Sequence, residues 1–183
     1  MRITGGEFSG RLLAMPKSDL IRPTQDRVRL ALFNILSSEI AGAEFLDLFA
    51  GSGAVGIEAL SRGATSATFV EGNFRHAAII EKNASALAIR NATVVVADAY
   101  RWIEHYVGNG YTIAFADPPY ALGEEKGYGK VLERLAMRGV VRVNGLFIAE
   151  MTAVQHTEQT PNWELLRDRT YGKTRICIWR RTK

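Results

Sequence analysis

The stretch Phe45-Leu46-Asp47-Leu48-Phe49-Ala50-Gly51-Ser52-Gly53-Ala54-Val55-Gly56-Ile57-Glu58-Ala59-Leu60 decides the fold. Residues 45–49 form a short apolar run of strand length, and the residues from Ala54 to about Arg62 read as a helix. Between them Gly51, Gly53 and Gly56 keep a Gly-x-Gly-x-x-Gly spacing. Glycines at such a junction permit a tight turn and let a ligand lie directly against the backbone. Glu71 ends the next predicted strand, about 20 residues on, where a carboxylate accepts hydrogen bonds from both hydroxyls of a ribose. A turn that serves packing alone is the plainer reading, and Glu71 weighs against it.

Outward from this turn, short apolar runs alternate with helical spacing. Strands are predicted at residues 67–70, 93–97, 111–116 and 145–151, and helices at 99–106 and 128–137. A further helix carries Ala77, Ile80, Ala84 and Leu87 on one face. This alternation predicts a parallel, doubly wound α/β sheet. The chain ends differently: residues 163–167 and 174–180 are two strands joined through Gly172 with no helix between them. An antiparallel C-terminal hairpin therefore completes a mostly parallel, seven-stranded sheet. At the other end, Gly5, Gly6 and Gly10 beside the stretch 11–15 suggest a β-hairpin. Pro16 and Pro23 break the chain before a helix in which Val28, Ala31, Leu32 and Ile35 recur, capped by Thr24 or Asp26. The expectation is one domain over 1–183, with an N-terminal hairpin extension at 1–22 and a catalytic core at 23–183.

Two ligand classes fit the glycine turn, a dinucleotide and an adenosylmethionine. Asp47 separates them. A carboxylate at the end of the first strand would lie close to a bound pyrophosphate, whereas it suits a ligand carrying an ammonium and a sulfonium. Asp98, just past the third strand, can accept a hydrogen bond from an adenine amino group or simply cap the helix that follows. All these positions fall at the carboxyl ends of strands, where open α/β sheets bind ligands.

Asp117-Pro118-Pro119-Tyr120 follows the fourth strand directly. Two prolines fix φ and remove donors, so the local carbonyls are rigid acceptors. An exocyclic amine needs such acceptors, here Asp117 and the Pro118 carbonyl, to aim its nitrogen lone pair at a methyl group. Tyr120 offers a flat face for stacking, worth about 1–3 kcal/mol in comparable sites. In isolation the segment reads equally well as a rigid turn, but the glycine motif at the same sheet edge favours the chemical reading.

The bulk properties restrict the class. A chain of 183 residues fits one domain, and 47% apolar with 23% charged residues is ordinary for a soluble globular protein. Cys177 is the single cysteine, which excludes an intrachain disulfide and a cysteine-based zinc cluster. His76, His105 and His156 lack metal-ligand spacing, so no metal is expected. No apolar run approaches the ~18–20 residues that span a bilayer, and no signal-peptide pattern opens the chain. A cytoplasmic monomer is expected. The net charge of +4 is mild, but basic residues crowd both ends. Arg2, Arg11, Lys17, Arg22, Arg27 and Arg29 lie near the start, and Arg167, Arg169, Lys173, Arg175, Arg180, Arg181 and Lys183 near the finish. These are either solvated faces or a phosphate-binding surface, with Arg11, Arg22 and Arg27 the candidate RNA contacts.

The glycine turn and the Asp-Pro-Pro-Tyr segment, in this order, resemble the amino-directed adenosylmethionine methyltransferases. Arg22, Pro23 and Thr24 with Asp26, Arg27 and Arg29, then Leu32, Phe33 and Asn34, look like the N-terminal signature of the bacterial 16S ribosomal RNA guanine-N2 methyltransferases. Residues 46–62 are similar to that family as well, and the likeness covers nearly the whole chain, including residues 171–173. It implies the Rossmann-like, S-adenosylmethionine-binding methyltransferase fold with an N-terminal β-hairpin. It also implies methyl transfer to the exocyclic N2 of a guanine in 16S rRNA, free or in an assembling small ribosomal subunit. Carried over by position, Thr24, Asp47, Phe49, Ala50, Gly51, Ser52, Gly53, Glu71, Asp98, Ala99 and Asp117 would line the cofactor. Asp117, Pro118, Pro119 and Tyr120 would hold the reacting base. One departure is Gly72-Asn73, where related chains often place a second acid.

Three other readings compete. Adenine-N6 and glutamine-amide methyltransferases often carry Asn rather than Asp before the prolines and generally need a larger recognition domain. A dinucleotide-dependent oxidoreductase is disfavoured by Asp47 and by the lack of a second nucleotide-binding half. A non-catalytic RNA-binding assembly factor would have no need of intact cofactor and base motifs.

Overall fold

The computed structural model describes residues 1–16, 26–118, 128–153, 155, 157 and 159–183. In chain order the elements are α1 (Asp26–Ile35), β1 (Glu44–Leu48), α2 (Ala54–Ser61), β2 (Ser66–Glu71), α3 (Phe74–Ala86), β3 (Ala92–Val96), α4 (Ala99–Glu104), β4 (Tyr111–Ala116), α5 (Gly129–Met137), β5 (Val141–Thr152), β6 (Trp163–Tyr171) and β7 (Thr174–Arg181). The strands form one seven-stranded sheet in the order β3-β2-β1-β4-β5-β7-β6. β1 to β5 run parallel, and β7 enters antiparallel between β5 and β6. This is the α/β architecture expected from the alternation, C-terminal hairpin included.

The central strands are apolar on both faces because both are covered. Phe45, Phe69, Ile113, Phe115 and Ile148 pack with Leu32, Phe33, Ile57 and Ile80 in one core. Leu46, Leu48, Val70, Ala114 and Phe147 pack with Ile103, Leu132 and Leu135 in the other. The strands that extend furthest beyond expectation are β5, which begins at Val141, and β6, which continues to Tyr171. The β5 extension is irregular: its register against β4 shifts between Tyr111 and Ile113, and Asn144 takes a φ of 66°. Local pattern misses such a strand because Arg142, Asn144 and Gly145 interrupt its apolar residues.

The N-terminal hairpin is narrow, with one bridge between Arg2 and Leu12 supported by Ile3 N–H to Arg11 O at 3.0 Å and Leu13 N–H to Met1 O at 2.9 Å. Its tie to the core is polar and buried. The Glu58 carboxylate accepts from Thr4 N (2.8 Å), Thr4 Oγ1 (2.6 Å), Arg29 Nε (3.3 Å) and Arg62 Nε (2.9 Å). Arg29 also donates to Asp26 Oδ1 at 3.0 Å and to the Arg2 carbonyl. Arg29 and Glu58 are both fully buried, so Arg29 leaves the basic surface group in which its sequence neighbours place it. Thr24, one of the two expected caps of α1, lies outside the described residues.

Candidate active site at the carboxyl ends of the strands

After β1 the chain turns through Phe49, Gly51 and Gly53, all at positive φ (61°, 57° and 76°). The turn is closed by Ala50 N–H to Val70 O (3.1 Å) and Gly53 N–H to Ala50 O (2.7 Å). The glycines do different work. A Cβ on Gly56 would lie 2.3 Å from Phe69 Cε1, so that residue lets α2 pack on β2. A Cβ on Gly51 would meet nothing within 4 Å, so this side of the turn is open to a ligand. Ser52 is buried, and its carbonyl accepts from Asn83 Nδ2 at 3.1 Å, which also binds the turn to the chain at Ala14.

The three carboxylates expected at the cofactor already hold backbone. Glu71 Oε2 accepts from Gly51 N at 2.7 Å and its Oε1 from Asn73 N at 2.8 Å, with His76 Nδ1 3.6 Å away. Asn73 in turn caps α3, its Oδ1 accepting from Arg75 N at 2.9 Å, a task an acid would perform equally well. Asp98 Oδ1 caps α4 through Arg101 N at 2.9 Å, with Ala99 buried behind it. The Tyr100 ring meets Phe49 edge-on at 5.4 Å.

Asp47 is buried, and its Oδ2 accepts from Gly56 N at 2.9 Å. Burial, with a smaller contribution from the Glu71 charge, pushes its pKa from 3.8 up to about 8 against the opposing pull of that hydrogen bond. The folded protein therefore keeps a proton that the unfolded chain has released. The corresponding stability is complete below the unfolded value and is lost as pH rises toward 8. Denaturation of the ligand-free protein at about pH 5 and about pH 8 should show this loss, and Asp47→Asn should reduce it. An unchanged loss in the variant would assign the titration to another group.

Asp117 and Pro118 leave β4 at the same edge. Burial first, then the charges of Glu150 and Asp47, holds the Asp117 carboxyl well above the usual carboxylate range. Glu150 is an acid that motif reasoning passed over, although an acid within the apolar run 146–151 of β5 is the signal that could have found it. Among the other candidates, Arg11 and Arg27 are exposed, Arg11 reaching the Ala86 carbonyl at 3.5 Å. Thr24, Arg22, Pro119 and Tyr120 lie outside the described residues.

The C-terminal basic group divides between the two ends of the sheet. Arg175 pairs across from Met151 at the carboxyl end of β5, whereas Arg180 pairs across from Leu146 near the opposite end. Arg175 is engaged by Asp168 (2.7 Å) and Arg180 by Glu39 (2.8 Å). These two are intramolecular partners rather than a ready phosphate surface. Among the described residues no His, Cys, Asp or Glu group is arranged to hold a metal ion, and no helix is long and apolar enough to cross a membrane.

Comparison with known proteins matches this geometry to a family. The family model described as Conserved hypothetical protein 95 covers residues 1–180. The chain is 36% identical over 182 residues to Ribosomal RNA small subunit methyltransferase D of Escherichia coli, across 99% of this chain and 90% of that one. It is 32% identical over 175 residues to the protein of the same name in Haemophilus influenzae, across 94% and 89%. The solved structure of Escherichia coli yhhF, named as a methyltransferase, superposes with a TM-score of 0.89 at 34% identity, covering 100% of this chain and 98% of that one. At 21% identity, SMU.776 complexed with SAH shares the fold, with a TM-score of 0.65 over 87% of this chain and 50% of that one. With the family model spanning almost the whole chain and relatives above 30% identity end to end, this chain belongs to the Conserved hypothetical protein 95 family, that of the ribosomal RNA small subunit methyltransferases D.

Proposed function

We propose that the protein transfers a methyl group from S-adenosylmethionine to the exocyclic N2 amine of a guanine in 16S ribosomal RNA. The observation that carries this reading is the convergence of the open Gly51 turn, Glu71, Asp98 and Asp117 at one sheet edge. The residues fit the cofactor. The side of the turn where a Cβ on Gly51 would meet no atom leaves room for a ligand against the backbone. Glu71 and Asp98, though tied to backbone, keep acceptor capacity for ribose hydroxyls and an adenine amine. When bound, the cofactor supplies a methyl carbon activated by its sulfonium. The protein's own part is then alignment: Asp117 and the Pro118 carbonyl accept from the amine and aim its lone pair. Asp117 then receives the proton that the amine releases. The base must be extruded or lie in a loop to reach this edge.

The relatives named as small-subunit rRNA methyltransferases support RNA as the substrate. Asp rather than Asn before the prolines favours guanine over adenine. Calorimetry is expected to show binding of S-adenosylmethionine and its demethylated product, and none of NAD. Purified protein is expected to carry labelled methyl into small-subunit rRNA, free or assembled. NAD binding without adenosylmethionine binding would refute the cofactor assignment. Cofactor binding without transfer to either form of the RNA would favour the assembly-factor reading.

A further inference from the structure

We propose that Glu150 reads the N1–H of the target base and so selects guanine over bases that present an acceptor there; this rests on the guanine-N2 reading above. The sheet register brings Glu150 beside Asp117. Ala116 of β4 pairs with Ala149 of β5, so the next residues, Asp117 just past β4 and Glu150 within β5, lie side by side one step further on. Side chains alternate along a strand, which puts both acids on the face of Phe115 and Ile148. Neighbouring strands lie about 4.8 Å apart, close enough for one planar base to meet both carboxylates. The influence of Glu150 on Asp117 is the electrostatic sign of the same proximity.

The backbone at Glu150 is fixed. Tyr128, buried against Phe147 and Trp179, donates its hydroxyl to the Glu150 carbonyl at 3.2 Å. Glu150 itself is 8% exposed, an acid embedded in a strand of apolar neighbours.

The chemistry of the base edge supplies the rest. Guanine presents its N2 amine and its N1–H side by side, two adjacent donor groups. Adenine presents its amine beside an N1 lone pair. Once ionised, a carboxylate is acceptor-only, so the pair in its ionised form matches guanine and sets acceptor against acceptor with adenine. Asp117 with the Pro118 carbonyl takes the amine, and Glu150 takes the N1–H.

The test compares small-subunit RNA carrying either guanine or 2-aminopurine at the position that the wild-type protein methylates. 2-Aminopurine keeps the N2 amine but has an acceptor at N1. Wild-type protein should prefer guanine, and Glu150→Gln, whose amide can donate to N1, should reduce that preference by about 10- to 100-fold in kcat/KM. Glu150→Asp, which keeps the acceptor, should retain the preference even if transfer slows. A purely structural role would depress both substrates together and leave their ratio unchanged in Glu150→Gln, which overturns the proposal while leaving guanine methylation intact. If Glu150→Gln does not fold, loss of the preference in Glu150→Asp overturns it too. Absence of guanine methylation by wild-type protein would instead remove the reading on which the proposal rests.

Discussion

Asp117→Ala is expected to slow methyl transfer by about 10²-fold or more while binding of the demethylated cofactor product stays near wild type. Asp117 follows β4 beside the buried Pro118, whereas the hydrogen bonds that hold the glycine turn come from Ala50, Gly53, Glu71 and Asn83. In the proposed reaction it accepts from the amine, so its removal would leave the nitrogen lone pair unaimed. Geometry of this kind contributes to the barrier and little to ground-state affinity for the cofactor. The pH dependence adds an independent sign. Burial and the charges of Glu150 and Asp47 hold Asp117 protonated above the usual range, so wild-type kcat/KM should rise with pH as it ionises. That rise should be absent in the variant. Single-turnover rates beside calorimetry separate the two effects, and a variant with wild-type turnover would remove Asp117 from the base pocket.

Glu58→Ala is expected to cost about 3–5 kcal/mol of stability, the usual consequence of stripping one partner from a buried ion pair. Arg29 would keep Asp26 and the Arg2 carbonyl but lose the carboxylate that faces it inside the core. Thr4 would lose the acceptor of both its N–H and its hydroxyl. The loss should spread to function, because Glu58 lies on the helix that follows the glycine turn and anchors the N-terminal hairpin to it. Urea denaturation monitors the first effect, and protection of the 1–16 backbone from hydrogen exchange the second. A loss below about 1 kcal/mol would mean that the cluster relaxes into solvent rather than supporting the core.

The elements around the glycine turn were legible because their signals are local. A strand, three spaced glycines and a helix fall within residues 45–62, and the acid at Glu71 ends the neighbouring strand. Arg29 was not legible: in sequence it is one cation among several, and only its meeting with Glu58, far along the chain, makes it interior. Glu150 was hidden for a related reason, since its place beside Asp117 is a matter of strand register, which no single stretch encodes. The placement of the basic C-terminus was not legible, because charge in sequence carries no direction. An antiparallel strand carries Arg175 to one end of the sheet and Arg180 to the other.

The chemical identity of the product separates guanine-N2 transfer from its rivals most directly. Small-subunit RNA methylated by the purified protein should be digested to nucleosides and resolved by mass and chromatography. The expected product is N2-methylguanosine, formed by wild-type protein and lost with Asp117→Ala. N6-methyladenosine, or methylation at a ring nitrogen or ribose, would contradict the assignment of Asp117 and Pro118 as acceptors for a guanine amine.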